Sequence, residues 1–139
     1  MSRKAQVGCT LIELVVVITI LGILAAFAVP RFASLEVQAR SASVQALAGS
    51  VRSGAALSHA LWLAQSQPPS VTMEGSTITM TNGYPNLLTV NATLADTTGF
   101  TYNSGTGVFT KDGASNCSVT YAAAPANGAP TISVVTTCN

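Results

Sequence analysis

Apolar positions follow three successive patterns along the chain. Residues 11–29 read LIELVVVITILGILAAFAV, an apolar run broken by a single charge, Glu13. At 1.5 Å per helical residue this run covers about 28 Å, close to the ~30 Å hydrocarbon core of a bilayer. A helix that is apolar on every side belongs in lipid or deep inside a large protein. The remaining chain is too small to enclose it, so the run reads as a membrane-spanning helix. From residue 31 to about 65 a period near 3.6 takes over. Val37, Val44, Leu47, Val51, Ala55 and Leu61 form one stripe, while Arg31, Glu36, Arg40 and Arg52 mark other faces. Glu36 and Arg40 stand in the favourable i,i+4 order. Trp62 is expected in the core, and His59 as a surface or packing residue rather than a ligand. Pro68-Pro69 ends the helix. A continuous helix over 11–65 would measure about 80 Å, longer than a globule of this mass. Its first half must then project, and its second half must form the spine of a head.

From Ser70 the pattern changes to short alternating runs broken by Gly, Asn and Pro, the signature of strands and turns. Residues 71–73 and 78–80 flank Glu74-Gly75-Ser76 as a hairpin. Residues 100–102 and 108–110 flank a second turn at 103–107, and residues 117–123 and 131–138 flank a third. Asn82-Gly83-Tyr84-Pro85 reads as a loop. The fold class is α+β: a long N-terminal α-helix, half transmembrane and half amphipathic, packed on a small antiparallel β-sheet head. The segments are a leader (1–8), a hydrophobic helix (9–30), an amphipathic helix (31–66) and the head (70–139).

The third hairpin bears on the two late cysteines. With Asn127-Gly128 at the centre of a two-residue turn, Tyr121 faces Val134 and Cys117 faces Cys138. Side chains directly opposed across strands have Cβ atoms about 4.5–5.5 Å apart, so a Cys117–Cys138 disulfide is expected. Pro125 and Pro130 pair in the same register, so the ladder must end before the turn. Closing this loop stabilises the fold by about 3 kcal/mol in the chain-entropy treatment. The bond also requires an oxidising compartment.

Composition narrows the function. Charged residues make up 8% of the chain and hydrophobic residues 48%, which excludes a disordered chain. The formal charge is +1, without the basic excess of a nucleic-acid binder. Residues 70–139 hold four charged side chains, Glu74, Asp96, Lys111 and Asp112, but 21 Ser and Thr. Hydroxyls keep such a surface wet with little like-charge repulsion, which would suit heads packed side by side. One His and no closely spaced carboxylate pair argue against a metal site. No phosphate-binding glycine loop follows a strand, and no enzyme activity or cofactor is expected.

In front of the apolar run stands MSRKAQVG, with Arg3 and Lys4 and no acid. Positive charge before an apolar run holds that end in the cytoplasm. An ordinary secretory signal would end in a small-residue cleavage site, whereas here Pro30-Arg31-Phe32 follows. A lipoprotein signal would need an apolar stretch before Cys9, and only eight residues are there. Glu13 stands out because a carboxyl in a spanning helix costs about 2.5–3.5 kcal/mol on insertion scales. It either reaches back to the headgroups or does something specific.

The stretch GCTLIELVVVITILGILAAFAVPRF, with its short basic leader, resembles the N-terminal segment of type IV pilins and of the related type II secretion pseudopilins. The resemblance implies cleavage between Gly8 and Cys9 by a membrane-embedded prepilin peptidase, N-methylation of Cys9 and retention of the apolar helix. Cys9 departs from the family, which usually has Phe there. The resemblance assigns Glu13 to assembly, attracting the new amino terminus of a neighbouring subunit. It also implies a helix break at Gly22 and Pro30, where related subunits can lose helicity on assembly; Pro30 by itself predicts a break or kink, because it lacks the N–H of the ladder. Many pilins share a C-terminal disulfide loop, and the GYP at 83–85 is similar to mannose-sensitive haemagglutinin-type pilins. The implied function is a structural subunit of a pilus filament, with a type II secretion pseudopilin as the alternative and a DNA-uptake minor pilin as a third. The implied partners are identical or homologous subunits, the prepilin peptidase, an inner-membrane assembly platform and membrane lipid; nucleic acid is not expected. The implied location is the inner membrane before assembly and an extracellular filament after it.

Overall fold

The computed structural model describes residues 8–139. The leader residues 1–7, with Arg3 and Lys4, lie outside the described residues. Contacts divide the chain into two compact units, Met1–Glu36 and Val37–Asn139.

Helix α1 (Leu11–Ala64) contributes to both units. In the first unit its side chains are exposed on all faces. Gly22 and Pro30 both stand inside the helix in the single chain. Proline costs the ladder one N–H donor and crowds the carbonyl four residues back, yet the turns on either side keep their own bonds. Thr19 donates its hydroxyl to the Val16 carbonyl at 2.8 Å, so this polar side chain needs no water.

In the second unit α1 buries Val44, Leu47, Ala48, Val51 and Ala55, the stripe set by the 3.6-residue period. Val37 and Leu61, at the ends of the stripe, are half-buried. The helix ends at Ala64, before the two prolines. Gln67 N–H donates to the Trp62 carbonyl at 2.8 Å, and Ser66 sits at φ 63°. This is a Schellman-type closure with serine where glycine is usual.

The head contains two antiparallel sheets where one was expected. The first orders β1 (Ser70–Met73), β2 (Ser76–Thr81) and β3 (Tyr84–Pro85) side by side. Glu74-Gly75, at φ 47° and 82°, and Asn82-Gly83, at φ 53° and 83°, close the two hairpins. Both have the two positive φ angles that match strand twist in a two-residue turn. Residues 82–85 are therefore a turn and a strand, and the loop read from the sequence is corrected. A short 3-10 helix, Val90–Thr93, follows. The second sheet is a meander of β4 (Phe100–Asn103), β5 (Val108–Lys111), β6 (Ala114–Ala122) and β7 (Thr131–Thr136).

The core joins the buried stripe of α1 to Val90, Phe109, Ala114, Val119, Tyr121 and the disulfide. Two side chains tie the sheets together. The Tyr121 hydroxyl donates to the Pro85 carbonyl at 2.7 Å, and the Asn82 amide donates to the Ala124 carbonyl at 2.8 Å. At Gly107, φ is 72°, and an added Cβ would lie 2.2 Å from the Tyr121 carbonyl oxygen. Only glycine fits there.

The register of β6 with β7 differs from the sequence expectation by two residues. Tyr121 pairs with Ile132 and Cys117 with Thr136. The turn is centred on Ala126-Asn127 rather than Asn127-Gly128: Gly128 N–H donates to the Pro125 carbonyl at 3.1 Å, and Asn127 takes φ 58°. Pro125 opens this turn, and Asn127 at its third position tolerates the left-handed region.

Candidate functional site

The first turn of α1 is built by Thr10 and Glu13. Thr10 N–H donates to Glu13 Oε2 at 2.6 Å, the Thr10 hydroxyl donates to the same oxygen at 2.9 Å, and Glu13 N–H donates to Thr10 Oγ1 at 3.3 Å. This is a reciprocal capping box, in which each side chain satisfies the other's backbone donor. A carboxylate in the first turn also faces the positive end of the helix dipole. The T-x-x-E spacing at 10–13 is legible in the sequence as a capping signal, and it gives Thr10 a role that the longer motif does not.

Glu13 is exposed and is the acidic residue of this first turn. Its Oε1 accepts no hydrogen bond among the described residues, so one oxygen remains open to a second donor. Gly8 and Cys9 precede the helix and are exposed. An added Cβ at Gly8 would meet nothing within 4 Å, and Cys9 is a free thiol. Around Glu13 the exposed side chains are Leu11, Ile12, Leu14, Val16 and Val17, an apolar collar that water solvates poorly.

The remaining expected residues lie elsewhere. Gly22 and Pro30 are internal to the helix, as above. Cys117 and Cys138 form a disulfide in the head, with Cα atoms 4.7 Å apart and both side chains buried. Because β7 ends at Thr136, the chain must curl to deliver Cys138. Cys138 N–H donates back to the Thr136 carbonyl at 2.9 Å, and the Thr137 hydroxyl donates to the Asn116 carbonyl at 3.1 Å. The bond expected from direct opposition is formed by a terminal hook instead.

His59 packs rather than standing free. Its ring lies parallel to Tyr84 at 4.2 Å between centroids and 5.6 Å from Trp62, and Nδ1 is 2.7 Å from the Gly83 carbonyl. Trp62 is half-buried, not core: an added Cβ on Gly83 would come within 2.8 Å of its ring.

Residues 3–29 match the family model of the prokaryotic N-terminal methylation motif. Over 50 residues, 36% of this chain, the sequence is 58% identical to the type IV narrow pilus major component PilA5 of Thermus thermophilus. That match spans 43% of the relative's length, so the chain covers less than half of the curated relative it matches. No solved structure matches the chain. Capped helix start, exposed apolar helix and matched motif coincide in one segment, and the chain carries a prokaryotic N-terminal methylation motif.

Proposed function

We propose that this protein is a structural subunit of a type IV pilus, cut between Gly8 and Cys9 by a prepilin peptidase, N-methylated on Cys9 and polymerised through its N-terminal helix. The observation that carries this reading is a coincidence of place. The described part of the methylation motif includes the first turns of α1, where every side chain from Leu11 to Val29 is exposed and Glu13 puts a carboxylate in the first turn.

The physical sequence of events follows from these residues. Before assembly the apolar collar sits in the inner membrane, with the leader in the cytoplasm and the head outside it, where the disulfide persists. Cleavage creates a cationic amine at Cys9, four residues before Glu13. In lipid an unpaired charge is costly. Docking a neighbouring subunit offers its amine to the open Oε1 of Glu13, while Oε2 continues to cap its own helix. Burying the exposed apolar side chains against identical or homologous helices removes them from lipid and water as the filament leaves an assembly platform. Local unwinding at Gly22 and Pro30 would then let the helices extend. The role is structural, with no catalytic residue, serving surface attachment or movement.

The test is electron microscopy of sheared cell-surface material together with mass spectrometry of its N-terminus. Long fibres whose subunit begins at methylated Cys9 support the proposal. An uncut chain in the membrane fraction, or fibres lacking this subunit, would refute it.

A further inference from the structure

Where α1 ends, an open groove of about 680 Å3 is cut into the head, within the ~300–1,000 Å3 of small-molecule sites. It lies wholly within the unit Val37–Asn139. Three rings line one side, with His59 stacked against both Tyr84 and Trp62. His59 is parallel to Tyr84 to within 3° and lies 23° from the plane of Trp62. Gln67, Asn82 and Asn127 bring amide side chains from three separate turns. The Asn82 Nδ2 is engaged by the Ala124 carbonyl, but the amides of Gln67 and Asn127 make no hydrogen bond among the described residues. All three residues take positive φ, 63°, 53° and 58°. Asparagine tolerates that region, whereas Gln67 is held there against its preference. The Gly83 carbonyl can only accept, so the proton of the neutral His59 ring is on Nδ1, leaving Nε2 as an acceptor.

The chemistry of this wall is specific in what it omits. Among the described residues, no Asp, Glu, Lys or Arg lines the groove. A charged ligand would lose water there without gaining a counter-charge. Flat aromatic faces beside uncommitted amides, donor and acceptor on each, match a ligand with an apolar C–H face and a rim of hydroxyls. We propose that this groove binds a neutral saccharide, one sugar ring lying on the aromatic wall and its hydroxyls taken by Gln67 and Asn127. The inference stands apart from the proposal of polymerisation, because the groove belongs to the single chain.

The test uses the full chain in micelles of a detergent without a sugar headgroup. Trp62 is the one tryptophan, so its fluorescence reports the groove directly. The probes are cellotriose, maltotriose, mannotriose and chitotriose, with trigalacturonate as the charged control and hexaproline as a peptide control. At least one neutral trisaccharide should shift Trp62 fluorescence saturably, and trigalacturonate should not. Gln67→Gly and Asn127→Gly keep the positive φ while deleting the amides. Each should weaken binding about five- to tenfold, the effect of one lost hydrogen bond, with circular dichroism unchanged. No response to any neutral sugar, equal affinity in both variants, or a response to hexaproline alone would overturn the proposal.

Discussion

Replacing Tyr121 by Phe isolates the link between the two sheets. The side chain is fully buried, and its ring belongs to the core that faces α1. Phenylalanine keeps that ring and its packing. What is lost is the hydroxyl that donates to the Pro85 carbonyl at 2.7 Å, on a proline that is itself buried. Deleting one partner of a buried hydrogen bond costs about 1–3 kcal/mol, because the acceptor stays out of water without its donor. With a urea slope of about 1–3 kcal/mol/M for a small domain, the unfolding midpoint should fall by roughly 1 M. Urea titration of the full chain in micelles, followed by Trp62 fluorescence, measures this. A loss below about 0.5 kcal/mol, the size of an ordinary surface change, would refute the claim that this bond joins the sheets.

The same residue gives a pH signature. Burial pushes the Tyr121 hydroxyl upward from its ordinary value, and the neighbouring Tyr102 and Tyr84 add to this. Burial also raises Tyr102, whose hydroxyl donates to the Leu87 carbonyl. For an acid whose folded pKa is raised, stability is complete below the unfolded value, about 10 for tyrosine. It is lost as pH rises from there towards the folded value. The head should therefore destabilise above about pH 10, and Tyr121→Phe should reduce that slope without abolishing it, since Tyr102 remains.

Gly107→Ala should cost about 3 kcal/mol or more, since the new Cβ meets a backbone oxygen at 2.2 Å and φ is 72°; thermal unfolding checks it, and a shift within error would show that β5 and β6 can part locally. Reducing the Cys117–Cys138 bond, or changing both residues to Ser, should lower stability by about 3 kcal/mol; denaturant curves with and without reductant should separate accordingly. Glu13→Ala should leave membrane insertion and cleavage intact but abolish fibres on electron micrographs, and normal fibre yield would sink the docking role given to its open oxygen.

Much of this protein is written locally. The run at 11–29 declares itself by length and by having one charge, and the stripe from Val44 to Ala55 by a period that survives in the buried face. T-x-x-E caps a helix because the two groups are adjacent in any α-helix start, whatever lies beyond. The paired glycine turns at 74–75 and 82–83 are likewise properties of a few residues, although the second was read only as a loop because its strand is two residues long.

Other features depended on packing. The turn of the last hairpin is centred one position earlier, where Asn127 takes the positive φ, and a one-position change of centre shifts every pair by two. The disulfide survived that shift only because the chain hooks after Thr136, which no spacing rule contains. Pro30 lies within α1 in the single chain. The two sheets are joined by the Tyr121 hydroxyl, which reaches a carbonyl 36 residues away in sequence. Sequence by itself determined the exposed apolar helix, its capped start and the buried face of the spine, because those follow from contacts within a few residues. Register, the sheet division and the aromatic groove were decided only in three dimensions, where distant segments compete for the same partners.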